Sequence, residues 1–483
     1  MKTVHIMKKA WQMALMVSVL TFVFMSCNDA ERTKAVYDPN KPVVLTSFEP
    51  TTGRIREMVL LDGDNFGADT TIIKVFFNER EAKVIGSTGK RILVAVPRLP
   101  GDTCILTVAI GDQRKSYNGK FYYKKEASVT TIAGNGIRDP RIFDQGLDKA
   151  QMQPMYIGAD LDGNIFLGDQ SNVLLRINEE GNLMQIIATG DQGFIHRCQV
   201  IVNPSTNVLQ MGAEGQNNRD RFAFFDPNKG WALNNKFIKE WNDNGYTRPV
   251  HSGWISNPVN GAASGAPNSF ETHYHCLYCP VDGMYYTRYN SGAIVRIDPV
   301  TWKAKIIGMT PMGIAYGVAM HPIHQSEMWI GYDGVADANT GIYAHSICKV
   351  DVLDETVGLE TTLVGNAKIL ASFQKLSAPS YIPGHRDGPL YQALFFNIRG
   401  ISFDADGNLF VSEHGNSDVR MINTMINPMS VETIIGIPGV AGFKDGPKET
   451  ALFSGNHGLV TDKEGNIYVS DYNNNRIRKI AIE

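Results

Sequence analysis

Five polar side chains, Arg197, His275, Tyr316, Arg399 and His457, with Met155 as a sixth neighbour, stand at one position of a sixfold sequence repeat. Each is the residue just before the first apolar run of its copy, with a one-residue adjustment in the second and fourth copies. Equivalent positions in a ring of repeats face a common axis, so these side chains are expected around one mouth of a central channel. Sixfold order sets Arg197 opposite Arg399 and His275 opposite His457. A guanidinium presents a planar fork that matches carboxylate or sulfate oxygens. Two of them, with a Tyr and two His for orientation and stacking, suit an acidic sugar or another small anion. The plainer reading is a wet channel rim whose polar side chains bond water.

Other donor clusters carry less. His273-Tyr-His275-Cys276-Leu-Tyr-Cys279 holds the atom types of a metal site. On a strand, however, His273, His275, Leu277 and Cys279 fall on one face and Cys276 on the other, so one strand cannot enclose an ion. Structural histidines and buried thiols are the expected role. Asp160-Leu-Asp-Gly-Asn164 and Asp404-Ala-Asp-Gly-Asn408 open like calcium loops but lack the rest of the twelve-residue loop, and they fall where hairpin turns are required. Nucleophile elbow, phosphate loop and dinucleotide fingerprint are all missing from the sequence. The expectation is therefore binding without a catalytic residue, metal or cofactor, leaning away from an enzyme.

The elements that position these residues are short strands. Gly458–Ile480 reads GLVTDKEGNIYVSDYNNNRIRKI, Gly400–Ile422 GISFDADGNLFVSEHGNSDVRMI and Tyr156–Ile177 YIGADLDGNIFLGDQSNVLLRI. Asp-Gly-Asn or Glu-Gly-Asn between apolar runs is a hairpin signal, because the turn needs residues that tolerate positive φ. Looser copies begin near Cys198, Cys276 and Gly317. Six small antiparallel sheets at intervals near 41 residues, with insertions in the longer gaps, describe a six-bladed β-propeller. A fourth strand follows several triplets, at Gln185–Gly190, Lys305–Gly308, Thr362–Gly365 and Thr433–Gly436. The last triplet has none after it, and Val129-Thr-Thr-Ile-Ala-Gly134 is expected to supply it, closing the ring and hiding the sheet edges.

These residues resemble the NHL repeat family over 128–483, in the Thr-Ile-Ala-Gly lead-in, Asp387-Gly-Pro389, Asp445-Gly-Pro447 and Asn475-Arg-Ile-Arg478. Peptidyl-α-hydroxyglycine lyases are similar to NHL propellers and hold zinc at such a mouth with histidines from different blades, near a Tyr and an Arg. The matching types here are His275, His457, Tyr316 and Arg399. Catalytic zinc generally takes three protein ligands and this ring offers two imidazoles. A propeller enzyme, either such a lyase or a glycan-cleaving one, is the alternative to a binding protein.

The N-terminus suggests an address. Lys2, Lys8 and Lys9, an apolar Ala14–Met25 and Ser26-Cys27 describe an export signal over 1–26, too short for a good membrane span. Cysteine after a small residue resembles the lipobox of bacterial lipoproteins, which implies lipidation of Cys27 and an outer-membrane lipoprotein at the cell surface or periplasmic face. Asp29 and Glu31 follow it, as in some surface-exported proteins. Loss of the leader's three lysines takes the net charge from −3 to −6, which argues against nucleic acid. Cys104, Cys198, Cys276, Cys279 and Cys348 are too few and irregular for a disulfide scaffold. Polar residues 27–41 read as a tether. Residues 42–124 read as a β-sandwich of short strands with turns every 8–12 residues. Ser47-Phe-Glu-Pro50, Leu61-Asp-Gly-Asp-Asn-Phe-Gly67, Val96-Pro97 and Gly119–Tyr123 resemble the IPT/TIG domain, which implies spacing or protein contact.

The chain is thus expected to be all-β, with a glycan or a protein at the cell surface as partner. Two insertions complete this reading. One, 228–272, carries Trp231, Trp241, Tyr246, Trp254 and Phe270, of which Trp231 and Trp241 are expected to pack in an outer strand or short helix. The other, 366–392, is a candidate cap on the ringed face.

Overall fold

The computed structural model describes residues 35–98, 101, 103–124, 126–139, 143, 146–194, 198–212, 221–242, 272–334, 343–357, 369–378 and 382–482. They form two compact units that meet in sequence at Lys125 and Glu126.

The first unit is the sandwich. One sheet orders Val44–Glu49, Met58–Asp64, Arg91–Ala95 and Arg80–Ser87. Arg80–Ser87 also pairs with Ile73–Phe77, leading to Thr103–Ile110, Gln113–Tyr123 and Thr52–Gly53. Alternation fills the space between with Val59, Leu61, Val75, Phe77, Ile92, Leu106 and Phe121, the Phe77 and Phe121 rings meeting edge to face at 5.1 Å. In the 61–67 motif, Asn65 is left-handed at φ 63°. Its amide donates to the Asp38 and Lys41 carbonyls and accepts from the Asp38 N–H. The tether expected over 27–41 is therefore fastened to the sandwich near its end, since Asn65 satisfies its backbone.

The second unit is the six-bladed propeller. Each blade runs outward through antiparallel strands, from Pro154–Ala159 to Leu183–Ala188 in blade one and from Ile201–Val202 to Leu233–Phe237 in blade two. Blade three runs from Leu277–Cys279 to Lys303–Met309, blade four from Ile314–Met320 to Gln374–Lys375, and blade five from Ile398–Phe403 to Ser430–Ile435. Blade six comprises Asn456–Thr461, Ile467–Asp471, Arg476–Ile482 and the distant Ala127–Ala133. Ile480 stands opposite Val129 and Ile482 opposite Ala127, so the N-terminal strand closes the ring. Apolar layers hold the blades together, such as Ile157, Leu167, Leu175, Tyr468 and Ile477 between blades one and six. Inner strands approach so closely that a Cβ on Gly458 would lie 2.7 Å from the Met155 carbonyl.

The hairpin turns are made by side chains as well as glycine. Asp404 Oδ1 accepts the N–H of Asp406 and Asn408 at 3.0 and 2.8 Å, and Oδ2 accepts from the Asn408 amide. Asp160 and Asp462 repeat this pattern, so these carboxylates serve the turns. In blade four His321 takes the same place, its Nδ1 accepting the Ile323 and His324 N–H.

Some strands differ from expectation. The described fourth strand of blade four is Gln374–Lys375, whereas Thr362–Gly365 lies outside the described residues. Trp231 packs on Phe166 at 4.7 Å, and Trp241 belongs to Glu240–Asn242, which pairs in parallel with the edge of blade three. Tyr246, Trp254 and Phe270 lie outside the described residues. The described part of 366–392 forms outer edges rather than a cap: Gly388–Pro389 pairs with blade five because Asp387 is tied to the Thr433 N–H and hydroxyl.

Candidate functional site

The site lies where the inner strands begin. In blade five, Ile398 and Ile401 pack in the core with Trp329 and Leu409. Arg399 between them turns away, with its guanidinium carbon 5.6 Å from the centre of the Tyr316 ring. Tyr316 is the hub: its ring centre is 4.7 Å from Tyr274, 5.4 Å from His457 and 6.3 Å from Tyr156. His275 donates from Nε2 to the Tyr316 carbonyl at 3.2 Å. The structure thus brings His275, Tyr316, Arg399 and His457 together, and Arg197 lies outside the described residues.

Two features depart from a wet, cationic rim. His275 and His457 are wholly buried, packed among aromatic rings. Burial holds both neutral: it pushes His275 down to about 3 against the pull of its bond to Tyr316. His457 is driven well below the usual imidazole range, with nearby Arg399 adding to the effect. Second, Arg399 is already paired. Its Nε donates to Asp333 Oδ2 at 3.1 Å, the Asp333 side chain being 4% exposed and that of Arg399 23%. Among the described residues the two terminal Nη groups of Arg399 make no hydrogen bond.

Sequence reasoning did not find Asp333 or His414. Asp333 ends the second strand of blade four, opposite Ile314, as Glu413 ends that of blade five opposite Ile398 and Asp471 that of blade six opposite Asn456. Glu413 and Asp471 are neutralised within their blades by Arg420 and Arg478. Arg420 faces Val411 and Arg478 faces Val469, each two residues before the acid; two residues before Asp333, Gly331 faces Ile347. The intrablade arginine is missing there, so Asp333 reaches the next blade. An acid that recurs while its arginine does not is the signal that was available. His414 stands over the Gly455 turn, and burial and Arg399 lower its pKa.

Among the described residues, buried polar atoms without a partner gather at this end: His275 Nδ1, Asp333 Oδ1, Asn397 Oδ1, His414 Nδ1 and His457 Nδ1. Native proteins satisfy almost all such atoms, so a cluster of them marks a place built for something polar.

His273 does not join His275. It bridges to Tyr289, its ring faces Phe222 and Tyr289, and its Nδ1 lies 3.1 Å from the Thr287 hydroxyl. The regular strand begins only at Leu277, so alternation does not reach back to place the two histidines together. Among the described residues no three His, Cys, Asp or Glu side chains are grouped to hold a metal. The described cysteines, including Cys276 and Cys279, are buried free thiols.

At the opposite end the channel opens into a cavity of about 460 Å³. Its walls are largely apolar, with Ile157, Val318, Ile401 and Leu459 among them, and its rim carboxylates Asp160, Asp404 and Asp462 are the turn acceptors above.

Residues 42–123 match the family model of the IPT/TIG domain and residues 453–480 that of the NHL repeat. The chain is therefore an IPT/TIG domain followed by a six-bladed propeller that carries an NHL repeat. No protein of curated function matches the sequence. A structural genomics protein of unknown function from Bacteroides thetaiotaomicron is similar over 93% of this chain and 100% of its own, at 20% identity and TM-score 0.68. An auxiliary nutrient binding protein from the same species covers 93% and 99%, at 21% identity and TM-score 0.54. A putative phosphatase, also from that species, covers 93% and 99%, at 16% identity and TM-score 0.52. At these identities the likeness is one of fold.

Proposed function

We propose that the protein is a binding lipoprotein of the cell envelope, exported by residues 1–26, anchored at Cys27 and spaced from the membrane by its IPT/TIG domain. Its propeller captures an extracellular carbohydrate or protein at the channel end formed by His275, Tyr316, Arg399 and His457, together with Asp333 and His414. The observation that carries this reading is the gathering, among the described residues, of unpartnered buried polar atoms beside a partly exposed Tyr316 and Arg399. A binding role also agrees with the name of the auxiliary nutrient binding protein that shares the fold.

The experiment is a screen of the chain against immobilised glycans and cell-surface proteins, with the chemical fate of each retained ligand followed by mass. Retention without turnover supports the reading. Turnover of a retained glycan would move the protein to the enzyme class, and retention of nothing would remove the binding role.

A further inference from the structure

Resting on that binding role, we infer that the channel end takes a neutral sugar, with two adjacent hydroxyls read by the Arg399–Asp333 pair and the ring laid against Tyr316. The argument begins with the kind of atom left unsatisfied. His275 spends its N–H on the Tyr316 carbonyl, so its orphaned Nδ1 is a bare lone pair. His457 Nδ1 and His414 Nδ1 are left over as well. Asp333 Oδ1 and Asn397 Oδ1 are oxygens. His275 Nδ1 and the two oxygens accept and cannot donate. A carboxylate or sulfate brings no proton to them. A hydroxyl group does, because it donates one hydrogen bond and accepts others.

The pair itself has the same preference. Asp333 neutralises Arg399, so an anion meets no net positive charge and confronts a carboxylate at close range. The anionic ligand suggested by two arginines thus loses the charge of the one arginine that is described. Arg399 keeps free Nη donors beside the free Oδ1 acceptor of Asp333. Donor beside acceptor is the complement of two neighbouring hydroxyls, each of which can accept from the guanidinium or donate to the carboxylate. A cationic ligand would supply donors but would stand against Arg399. Tyr316 is partly exposed, with Tyr274 and Tyr156 packed against it and the Arg399 guanidinium over its ring. A rigid aromatic face loses little entropy on binding and packs against the C–H side of a sugar ring, leaving the hydroxyl edge to the pair.

The test is calorimetric titration of the full chain in detergent with gluco-, galacto-, manno- and xylo-oligosaccharides, and with oligomers of glucuronate and galacturonate. At least one neutral oligosaccharide should bind, and more tightly than its uronate counterpart. Asp333→Asn and Arg399→Gln should each weaken it by about 10- to 150-fold, the range for one hydrogen bond to a charged group. Arg399→Lys keeps the charge without the fork and should weaken it too, which covers the case in which Arg399→Gln fails to fold. Tighter binding of a uronate, or a neutral oligosaccharide bound equally by parent and Asp333→Asn, overturns this inference and leaves the binding role standing. Binding of no saccharide also overturns it; the broader role then falls only if the surface proteins fail as well.

Discussion

Replacing Arg478 by methionine should open the propeller at its closing blade. The guanidinium is fully buried and makes five hydrogen bonds: Nε and Nη2 to Asp445 Oδ1, Nη1 to Asp471 Oδ2 and to the Leu452 carbonyl, and Nη2 to the Lys444 carbonyl. Asp445 in turn accepts from the N–H and hydroxyl of Thr131, so one arginine links the last blade to the strand that closes it. Methionine keeps an unbranched side chain of similar reach among the Phe443 and Phe453 rings that flank the arginine. What it removes is the partner of Asp471, a carboxylate that is itself wholly buried. Breaking a buried pair from one side costs about 3–5 kcal/mol, since the remaining charge stays desolvated. For a propeller of roughly 350 residues, unfolding entropy near 2 cal/mol/K per residue turns this into a fall in melting temperature of about 4–7 °C. Calorimetry at one scan rate, with urea unfolding as a second measure, would read it. Adding Asp471→Asn should return part of the loss, because it discharges the orphan. A fall under about 1 °C, or a double variant no better than Arg478→Met, would refute the reasoning.

Three further outcomes are expected. Gly458→Ala should destabilise the propeller by about 1–3 kcal/mol in urea unfolding, because its Cβ would meet the Met155 carbonyl at 2.7 Å and the Ile157 nitrogen at 2.8 Å, backbone atoms that cannot move alone. Stability should fall with acid: His275 has a folded pKa of about 3, below its unfolded value of about 6.5, so the unfolded chain takes up the proton first. That contribution is full above pH 6.5 and shrinks below it, by about 2 kcal/mol between pH 8 and pH 5, and His275→Gln should flatten the slope in matched unfolding curves. Cys27→Ala should abolish incorporation of labelled fatty acid and release the chain from the membrane fraction; an unchanged distribution would sink the anchoring proposal.

The fold was legible because its repeats are local. Gly-Asn turns between apolar runs set the hairpins, and the Val129–Gly134 run ahead of blade one read as the closing strand, the place that Ala127–Ala133 takes. That His275, Tyr316, Arg399 and His457 meet was legible for the same reason, as equivalence in a repeat places side chains on one axis. Their partners were not. Asp333 meets Arg399 across 66 residues and a blade boundary, and nothing in either local segment announces the pairing. Nor does residue type reveal burial: the imidazoles of His275 and His457 read as a solvated rim, and the tyrosines around them keep water away. The Asp-Gly-Pro segments were visible as motifs, but their work as buckles for Arg420 and Arg478 depends on outer strands that only the folded blade brings to them.

The closing strand also sets a clock. Ala127–Ala133 is made before the first blade, but its partner Arg476–Ile482 only after the other five, so blade six cannot assemble until they have been synthesised. The loop joining the two strands is the propeller itself, and contacts of such sequence separation form late. The sandwich has no such dependence, for all its strands lie before residue 125. In a chain threaded through a membrane from its N-terminus, the first domain would settle on the far side while the propeller is still an open row of blades. Until Arg476–Ile482 arrives, the blades keep open edges that the closed ring hides.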